Sequence, residues 1–492
     1  MSDKNGKTAQ PRTPAGFPDA FAEDVTIRQQ MIDTITAVYR RFGFAPLETP
    51  AIEYLDTLGK YLPESDEPSG GVFALKDDDD EWISLRYDLT APLSRVVAQY
   101  SQELPKPYRR YQVGPVWRRE KPGPGRFRQF YQCDFDTVGA SSIAADAEVA
   151  AVMAAALEAL GIPADGFEVR VNNRKILNGV LETIGISLDG AQQTVVLRAV
   201  DKLDRLGMEG VKDLLGKGRK DPSGDFTPGA GLTDGQIETV LGFVGAGEGA
   251  TSRAEVCDRL AGLVGESVVG LEGVAELREM DILLSAMGLS ETQVVFDPTI
   301  VRGLGYYTGP VFEAVLTMRI VDKKGRERTF GSVAGGGRYD DLVTRFTGQQ
   351  VPAVGGSIGI DRLRAALQAL GKIDAKSAYG PVVVTTMDKG RMADYQAMVQ
   401  ELRAAGIDAE LYLGNKGFRP QMKYGDKRRA PAVIIAGEDE FQKGEVSIKD
   451  MMLGAELSKD IADRDEWRKA QPAQQSVPRE KLVETIRAIL AR

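Results

Sequence analysis

Residues 108–139 read YRRYQVGPVWRREKPGPGRFRQFYQCDFDTVG, two strand-length runs around a Pro/Gly-rich turn. Lys121-Pro122-Gly123-Pro124-Gly125 does not continue a ladder, because proline has no N–H to give and glycine no side chain to pack. Side chains alternate faces along a strand, so Arg110, Gln112 and Arg118 share one face and Tyr111, Val113 and Trp117 the other. On the return run Arg126, Arg128, Gln132, Asp134 and Asp136 fall together. A half-buried strand normally repeats an apolar residue on its inner face. The bland reading is a solvated hairpin, but the density of aromatic residues points to burial. The planar fork of arginine suits phosphate oxygens, and a carboxylate further along suits a cation or an N–H donor. The hairpin therefore reads as the floor of a site for a ligand with a phosphate end and an amine end.

The surrounding composition narrows the class. The chain has 492 residues, room for two to four domains. Its 42% hydrophobic and 27% charged residues are ordinary for a globular protein. No apolar run approaches the roughly 18 residues of a membrane span, and MSDKNGKTAQPRTPAG lacks the apolar core of a signal peptide. Cys133 and Cys257 offer neither a metal spacing nor a disulfide framework, which fits a reducing cytoplasm. A net charge of −9 argues against a non-specific nucleic-acid coat without excluding local basic patches. The chain contains no histidine, which eliminates Ser-His-Asp triads, His-based acid–base catalysis and His metal sites.

Working outward, periodicity predicts a helix over Phe17–Arg41 and an extended, proline-punctuated segment over Ala45–Glu53. A hairpin is expected around Asp77–Glu81, and a strand over Arg86–Thr90 with Arg86, Asp88 and Thr90 on one face. A helical, glycine-containing segment from about Ser187 to Gly270 looks like an inserted module. Val294–Leu316 reads as one long strand-like run, with glycine-rich segments in it, at Ala334–Asp341 and at Gly355–Leu363. The first and third of these segments match neither a phosphate loop nor a dinucleotide fingerprint. Beyond a linker at 372–380 strands and helices alternate, which predicts a compact α/β domain. Its second helix carries Arg419, Lys423, Lys427 and Arg428, with Arg429 just beyond, a candidate nucleic-acid face or simply a solvated one.

Three stretches in this order, YRRYQVGPVWRRE…RFRQFYQCDFD, VRGLGYYTGPVFEAV and GGSIGIDRLRAAL, resemble histidyl-tRNA synthetases, a branch of the class II aminoacyl-tRNA synthetases. The resemblance runs from about Phe17 to the last helix, and the Arg302–Gly309 segment is its most specific part. It implies a multidomain α/β and α+β protein: a lead-in at 1–16, a catalytic domain on an antiparallel sheet at 17–371 with a helical insertion at 187–270, and an α/β anticodon-binding domain at 381–492. It also implies a cytoplasmic homodimer whose interface includes Phe44–Glu53. The implied substrates are L-histidine, ATP with Mg²⁺, and histidine tRNA, with neither DNA nor membrane as a partner.

The resemblance assigns roles residue by residue. Arg118 matches the arginine on the α-phosphate, Arg302 a second arginine reaching it, and Arg362 the contact to the γ-phosphate. Glu120, Arg126 and Gly359 complete the nucleotide site. Asp88, Thr90 and Gln132 match the positions around the α-amino group, and Asp136, Tyr306 and Tyr307 those that read the imidazole. Lys121 and the C-terminal basic helix are expected against tRNA. The chain departs from the family where Asp stands for Glu at 88 and 136, Gly305 for an Asp, and Trp117-Arg118-Arg119 for a Phe-Arg-His form. The rival reading is a non-catalytic relative, such as a regulatory subunit of ATP phosphoribosyltransferase or a histidine or tRNA sensor. The 381–492 segment and the retained Arg118, Arg302 and Arg362 weigh against it. An enzyme that charges histidine and contains none could still be translated under histidine starvation, a hypothesis that histidine-containing close relatives would remove.

Overall fold

The first helix shows how the sequence builds the core. Ile27, Met31, Ile35 and Tyr39 recur every four residues on Ala22–Arg41, and all four are buried. Each such side chain contributes about 1.5–3 kcal/mol by leaving water. The helix begins at Ala22, not Phe17: Phe21 is still extended, and Glu23 and Asp24 fill the first turn, where the helix dipole favours acid. The computed structural model describes residues 10–58, 71–123, 127–188, 190–220, 224–301, 307–321, 327–328, 331–341, 343–373, 379–457 and 473–492. The chain divides into two units, 1–373 and 374–492.

The first unit is organised on eight strands: β1 (Ala45–Pro46), β2 (Tyr108–Trp117), β3 (Gln129–Val138), β4 (Phe167–Asn173), β5 (Val294–Phe296), β6 (Pro310–Leu316), β7 (Ser332–Arg338) and β8 (Ala353–Gly359). Their order is β1-β2-β3-β8-β7-β6-β4-β5. The centre is antiparallel, with a parallel pair at each edge. Cross-strand partners share a face, so register sets which residues meet. One row runs Arg110, Asp136, Gly355, Gly337, Val311, and the next Gln112, Asp134, Ser357, Gly335, Glu313.

The other face is apolar and carries the helices. Phe135 stacks 4.9 Å from Tyr39, whose hydroxyl donates to the Cys133 carbonyl at 2.9 Å. A side chain at Gly356 would strike Met153 of helix Ile143–Ala159. The 187–270 segment forms helices Ala191–Val200, Leu203–Leu215, Asp234–Val244 and Arg253–Val264, with a small hairpin between the second and third. Its buried Val196, Val211, Phe243 and Leu260 join the same core as the sheet. The fully buried Arg253 fixes it further, bonding Asp281 at 2.6 Å and the carbonyls of Ser290 and Val294.

Two local expectations are corrected. Arg86–Thr90 is not a strand: Asp88 Oδ1 accepts the N–H groups of Thr90 and Ala91, so the polar alternation marks the start of helix Thr90–Gln99. A short acidic side chain competes for backbone donors in this way. Arg86 turns aside and donates to the carbonyls of Pro115 and Thr49. Val294–Leu316 is not continuous either. β5 ends at Phe296, Asp297 Oδ1 caps a turn at Thr299, and β6 starts at Pro310.

The second unit holds a five-stranded sheet in the order Ala409–Leu411, Val382–Val384, Ala432–Ile435, Glu445–Asp450, Gln474–Pro478. The first three strands are parallel and the last two antiparallel, so the sheet is mixed. Helices Met392–Ala404, Phe418–Lys427 and Leu482–Leu490 accompany it. The exposed, polar strand Gln474–Pro478 gave no apolar alternation to read.

Candidate active site

A cavity of about 500 Å³ opens on the sheet face turned away from Tyr39 and Met153. Nine of the residues singled out in the sequence line it: Asp88, Thr90, Arg118, Glu120, Gln132, Asp136, Tyr307, Gly359 and Arg362. Arg126, Arg302 and Tyr306 lie outside the described residues.

One end is cationic. The Arg118 guanidinium sits 4.4 Å from the centre of the Tyr87 ring and 5.2 Å from that of Phe130, and its Nε donates to the Tyr87 carbonyl at 3.3 Å. Aromatic faces hold a cation without neutralising it. Arg362, on helix Ile360–Ala369, donates to the Ser332 carbonyl at 2.6 Å. Its neighbour Asp361 accepts the Tyr131 N–H at 2.9 Å, which pins that helix start to β3. Phe127, Phe130 and Gly359 line the same cavity as the two arginines.

The other end is acidic and buried. Asp136 receives the hydroxyl proton of Tyr339 on one oxygen, and Arg110 Nη2 lies 2.7 Å from the other, off the line of an ideal hydrogen bond. Arg110 is fully buried and also donates to the Leu89 carbonyl. Gln132 donates from Nε2 to Ser357 Oγ at 2.7 Å. Ser357 stands across the sheet from Asp134, which is 2% exposed, and its hydroxyl favours the ionised carboxylate there. Burial raises the pKa of Asp136, opposed by Arg110 and the Tyr339 hydrogen bond. Burial also pushes Asp134 up to about 7, with Arg110 opposing and Asp136 and Asp88 reinforcing the shift. Gln132 Oε1, Asp134 Oδ1 and Gln112 Oε1 are buried with no hydrogen-bond partner.

Glycines make the room for this arrangement. A Cβ at Gly355 would collide with the Asp136 carboxylate, and one at Gly337 would strike the Tyr307 ring. Behind them Arg338 bonds Asp146 through Nε at 3.0 Å and through Nη2, and burial raises the Asp146 carboxyl to about 6 against that pairing. This holds the end of β7 where Tyr339 leaves it.

Sequence reading placed Asp134 on the functional face but gave it no role, and it missed Ser357, Tyr339 and Gly355. Their partners stand more than 200 positions away in sequence, so only strand order joins them. The remaining candidates are elsewhere. Lys121 is exposed and does not line the cavity. Arg419, Lys423 and Lys427 are exposed on a helix of the second unit, and Arg428 is held there by a two-pronged pair with Glu410. Among the described residues no group of three His, Cys, Asp or Glu could hold a metal, and no helix is long and apolar enough to cross a membrane.

The chain resembles known proteins along its whole length. Residues 16–363 match the family model described as histidyl-tRNA synthetase, and residues 381–489 that of an anticodon binding domain. Curated histidine–tRNA ligases of Cereibacter sphaeroides and Dinoroseobacter shibae are 57% and 58% identical, each match covering 99% of both chains. Among solved structures, histidyl-tRNA synthetase from Nostoc sp. PCC 7120 aligns with a TM-score of 0.75 at 29% identity, covering 98% of this chain and 100% of that one. A protein from Bacillus halodurans titled ATP phosphoribosyltransferase regulatory subunit/histidyl-tRNA synthetase shares the fold, with a TM-score of 0.66 over 85% of this chain and 97% of its own, at 24% identity.

Proposed function

The chain belongs to the histidyl-tRNA synthetase family, and on that premise we propose how its cavity carries out the two steps by which histidine is ligated to its tRNA. In the first, a carboxylate oxygen of histidine attacks the α-phosphorus of ATP, and pyrophosphate leaves as histidyl-adenylate forms. In the second, the 3′-hydroxyl of the terminal adenosine attacks the acyl carbon, and AMP leaves.

The single observation that carries the reading is the polarity of one cavity: at one end Arg118, held against aromatic rings, and at the other buried acceptors. Arg118 is the catalytic residue at the α-phosphate, where negative charge grows during attack. A cation already in place there stabilises the transition state by about 3–4 kcal/mol. Arg302 shares that role, Arg362 takes the γ-phosphate, and Glu120, Arg126 and Gly359 bound the nucleotide. Mg²⁺ would be carried on the phosphates, since no set of described side chains could hold it alone, and it would offset their charge. The chain itself supplies no nucleophile; its work is placement and charge compensation.

At the other end Asp88, Thr90 and Gln132 surround the α-amino group. Asp136, Tyr306 and Tyr307 read the imidazole. Buried acceptors left unpaired by a wrong side chain discriminate by about 10⁴-fold or more. The 381–492 domain binds the tRNA anticodon, with Arg419, Lys423, Lys427 and Arg428 as candidate contacts and Lys121 facing the acceptor end. A cytoplasmic homodimer fits the exposed Ile52, Tyr54, Leu75 and Trp82 on the small sheet that includes the proposed interface segment. The regulatory-subunit reading is not favoured, because the anticodon domain is present and Arg118 and Arg362 line the cavity. Histidine-dependent ATP–pyrophosphate exchange tests the whole proposal. Exchange absent, or driven equally by another amino acid, overturns it.

A further inference from the structure

The acidic end holds more acceptors than the assigned roles use. Asp134 lies between Gln132 and Asp136 on the same face of β3 and lines the cavity. The Ser357 hydroxyl takes the Gln132 N–H and stands directly across from Asp134 in the sheet register, where it favours the ionised carboxylate. With one amide N–H given to Ser357, the Gln132 oxygen is left as an open acceptor. Two buried acceptors one strand step apart, Gln132 Oε1 and Asp134 Oδ1, are left without a donor among the described residues.

An acceptor pair of this kind demands a group with several N–H bonds. Imidazole has one or two, in a plane, and Asp136 is already fixed by Tyr339 and Arg110 as its acceptor. An ammonium group has three, fanned over a cone. We propose that Asp134 is a further substrate-contacting residue, whose carboxylate joins the Gln132 amide oxygen in receiving the α-ammonium group of histidine, so that amino-acid binding expels a proton from the site. This rests on the reading that histidine occupies this end of the cavity.

The proton follows from the surroundings of the carboxyl. Arg110 faces it from β2, Asp136 from its own strand, Ser357 from β8 and Asp88 from the segment before helix Thr90–Gln99. Glu313 stands in the same cross-strand row on β6. Arg86, Tyr39 and Cys133 also act on it through space. Burial, reinforced by Asp136 and Asp88, outweighs the opposing Arg110, and Asp134 titrates near 7 when the cavity holds no cation. An incoming ammonium group favours the ionised form. Below pH 7 the carboxyl O–H bond therefore breaks as the ligand binds, and the proton leaves to buffer.

Calorimetry in buffers of different ionisation enthalpy counts that proton. At pH 6.5 the wild-type protein is titrated with histidinol, which has the ammonium and the imidazole, and with imidazole-4-propionate, which lacks the ammonium. Once each free ligand's own imidazole titration is subtracted, histidinol should release about 0.7 proton more than imidazole-4-propionate. In Asp134→Asn that excess should vanish, and at pH 8 histidinol affinity should fall about 10-fold while imidazole-4-propionate affinity stays within about 2-fold. Equal proton counts for the two ligands in wild type overturn the proposal, and this arm does not depend on the variant folding. An equal loss of both ligands in the variant also overturns it, since that places Asp134 at the imidazole or in the framework. Wild-type protein with normal histidine-dependent exchange but equal proton counts loses this inference alone; absent exchange removes the reading beneath it.

Discussion

Asp136 is fixed on both oxygens, by a tyrosine hydroxyl and by a buried arginine, and it lies over a glycine that leaves it room. Arg118, at the other end of the same cavity, is held by one carbonyl and the faces of two rings, and no carboxylate among the described residues pairs with it. The difference follows from what each end must do. Selecting a small amino acid requires acceptors fixed in a dry setting, where an unpaired polar group costs about 1–3 kcal/mol. Stabilising charge that appears only during reaction requires a cation not already neutralised. On the proposed assignment the first end serves recognition and the second the transition state.

That contrast can be broken most forcefully at Arg118. Arg118→Ala should lower the rate of histidine-dependent exchange by about 10²–10³-fold and leave histidine affinity, measured by calorimetry without ATP, within about 2-fold. An equal loss of histidine affinity would erase the division. Asp136→Asn is the converse. We expect a fall of about 10²-fold in kcat/KM for histidine with the KM for ATP little changed, and steady-state exchange at varied histidine and ATP separates the two. Gly355→Ala should displace the Asp136 carboxylate and cost about 1–3 kcal/mol of stability, with histidine binding weakened alongside; a variant as stable and as active as wild type would show that the close approach is not needed.

A fourth test concerns stability and pH. Burial holds Asp134 near 7, above its unfolded value of about 4. The folded chain thus binds that proton more tightly than the unfolded chain. The group weighs against folding as pH rises from about 4, and the full penalty is present above 7. Without ligand, Asp134→Asn should therefore be more stable than wild type by about 4 kcal/mol at pH 8, and the gain should shrink to about 1 kcal/mol near pH 4.5. Thermal melts across that range decide it, and a constant difference would refute it. The smallest effect is expected far from the cavity. Lys423→Ala with Lys427→Ala should raise the KM for tRNA about 3-fold and leave exchange untouched, so a change in exchange would refute an assignment to tRNA alone.

Much of this was legible in the chain itself. The period-two pattern of 108–139 put Gln132, Asp134 and Asp136 on one face, and the structure lines the cavity with all three. The amphipathic period found the first helix, though the structure starts it at Ala22 and not at Phe17. What the pattern could not carry was anything requiring strand order. Ser357, Gly355 and Tyr339 serve residues of β3 across more than 200 positions, and no local rule connects them. Arg86–Thr90 misled because polar residues at alternate positions mark either a solvated strand face or a helix start, and only the backbone donors at Thr90 and Ala91 distinguish them. The break in Val294–Leu316 was foreshadowed by Pro298 and Pro310, against a β-rich composition that argued for continuity.

The glycines of β7 and β8 have a consequence for the temperature at which the enzyme works. Where Gly335 and Gly355 line the cavity, the surface offered to substrate is peptide and has no rotamers to lose. Immobilising a rotamer-rich side chain costs roughly 0.5–1.5 kcal/mol in binding, a term that grows with temperature because it is entropic. A floor of backbone omits that term. Histidine affinity should then decline with warming mainly through the ligand's own lost freedom, a shallower slope than a floor of flexible side chains would give.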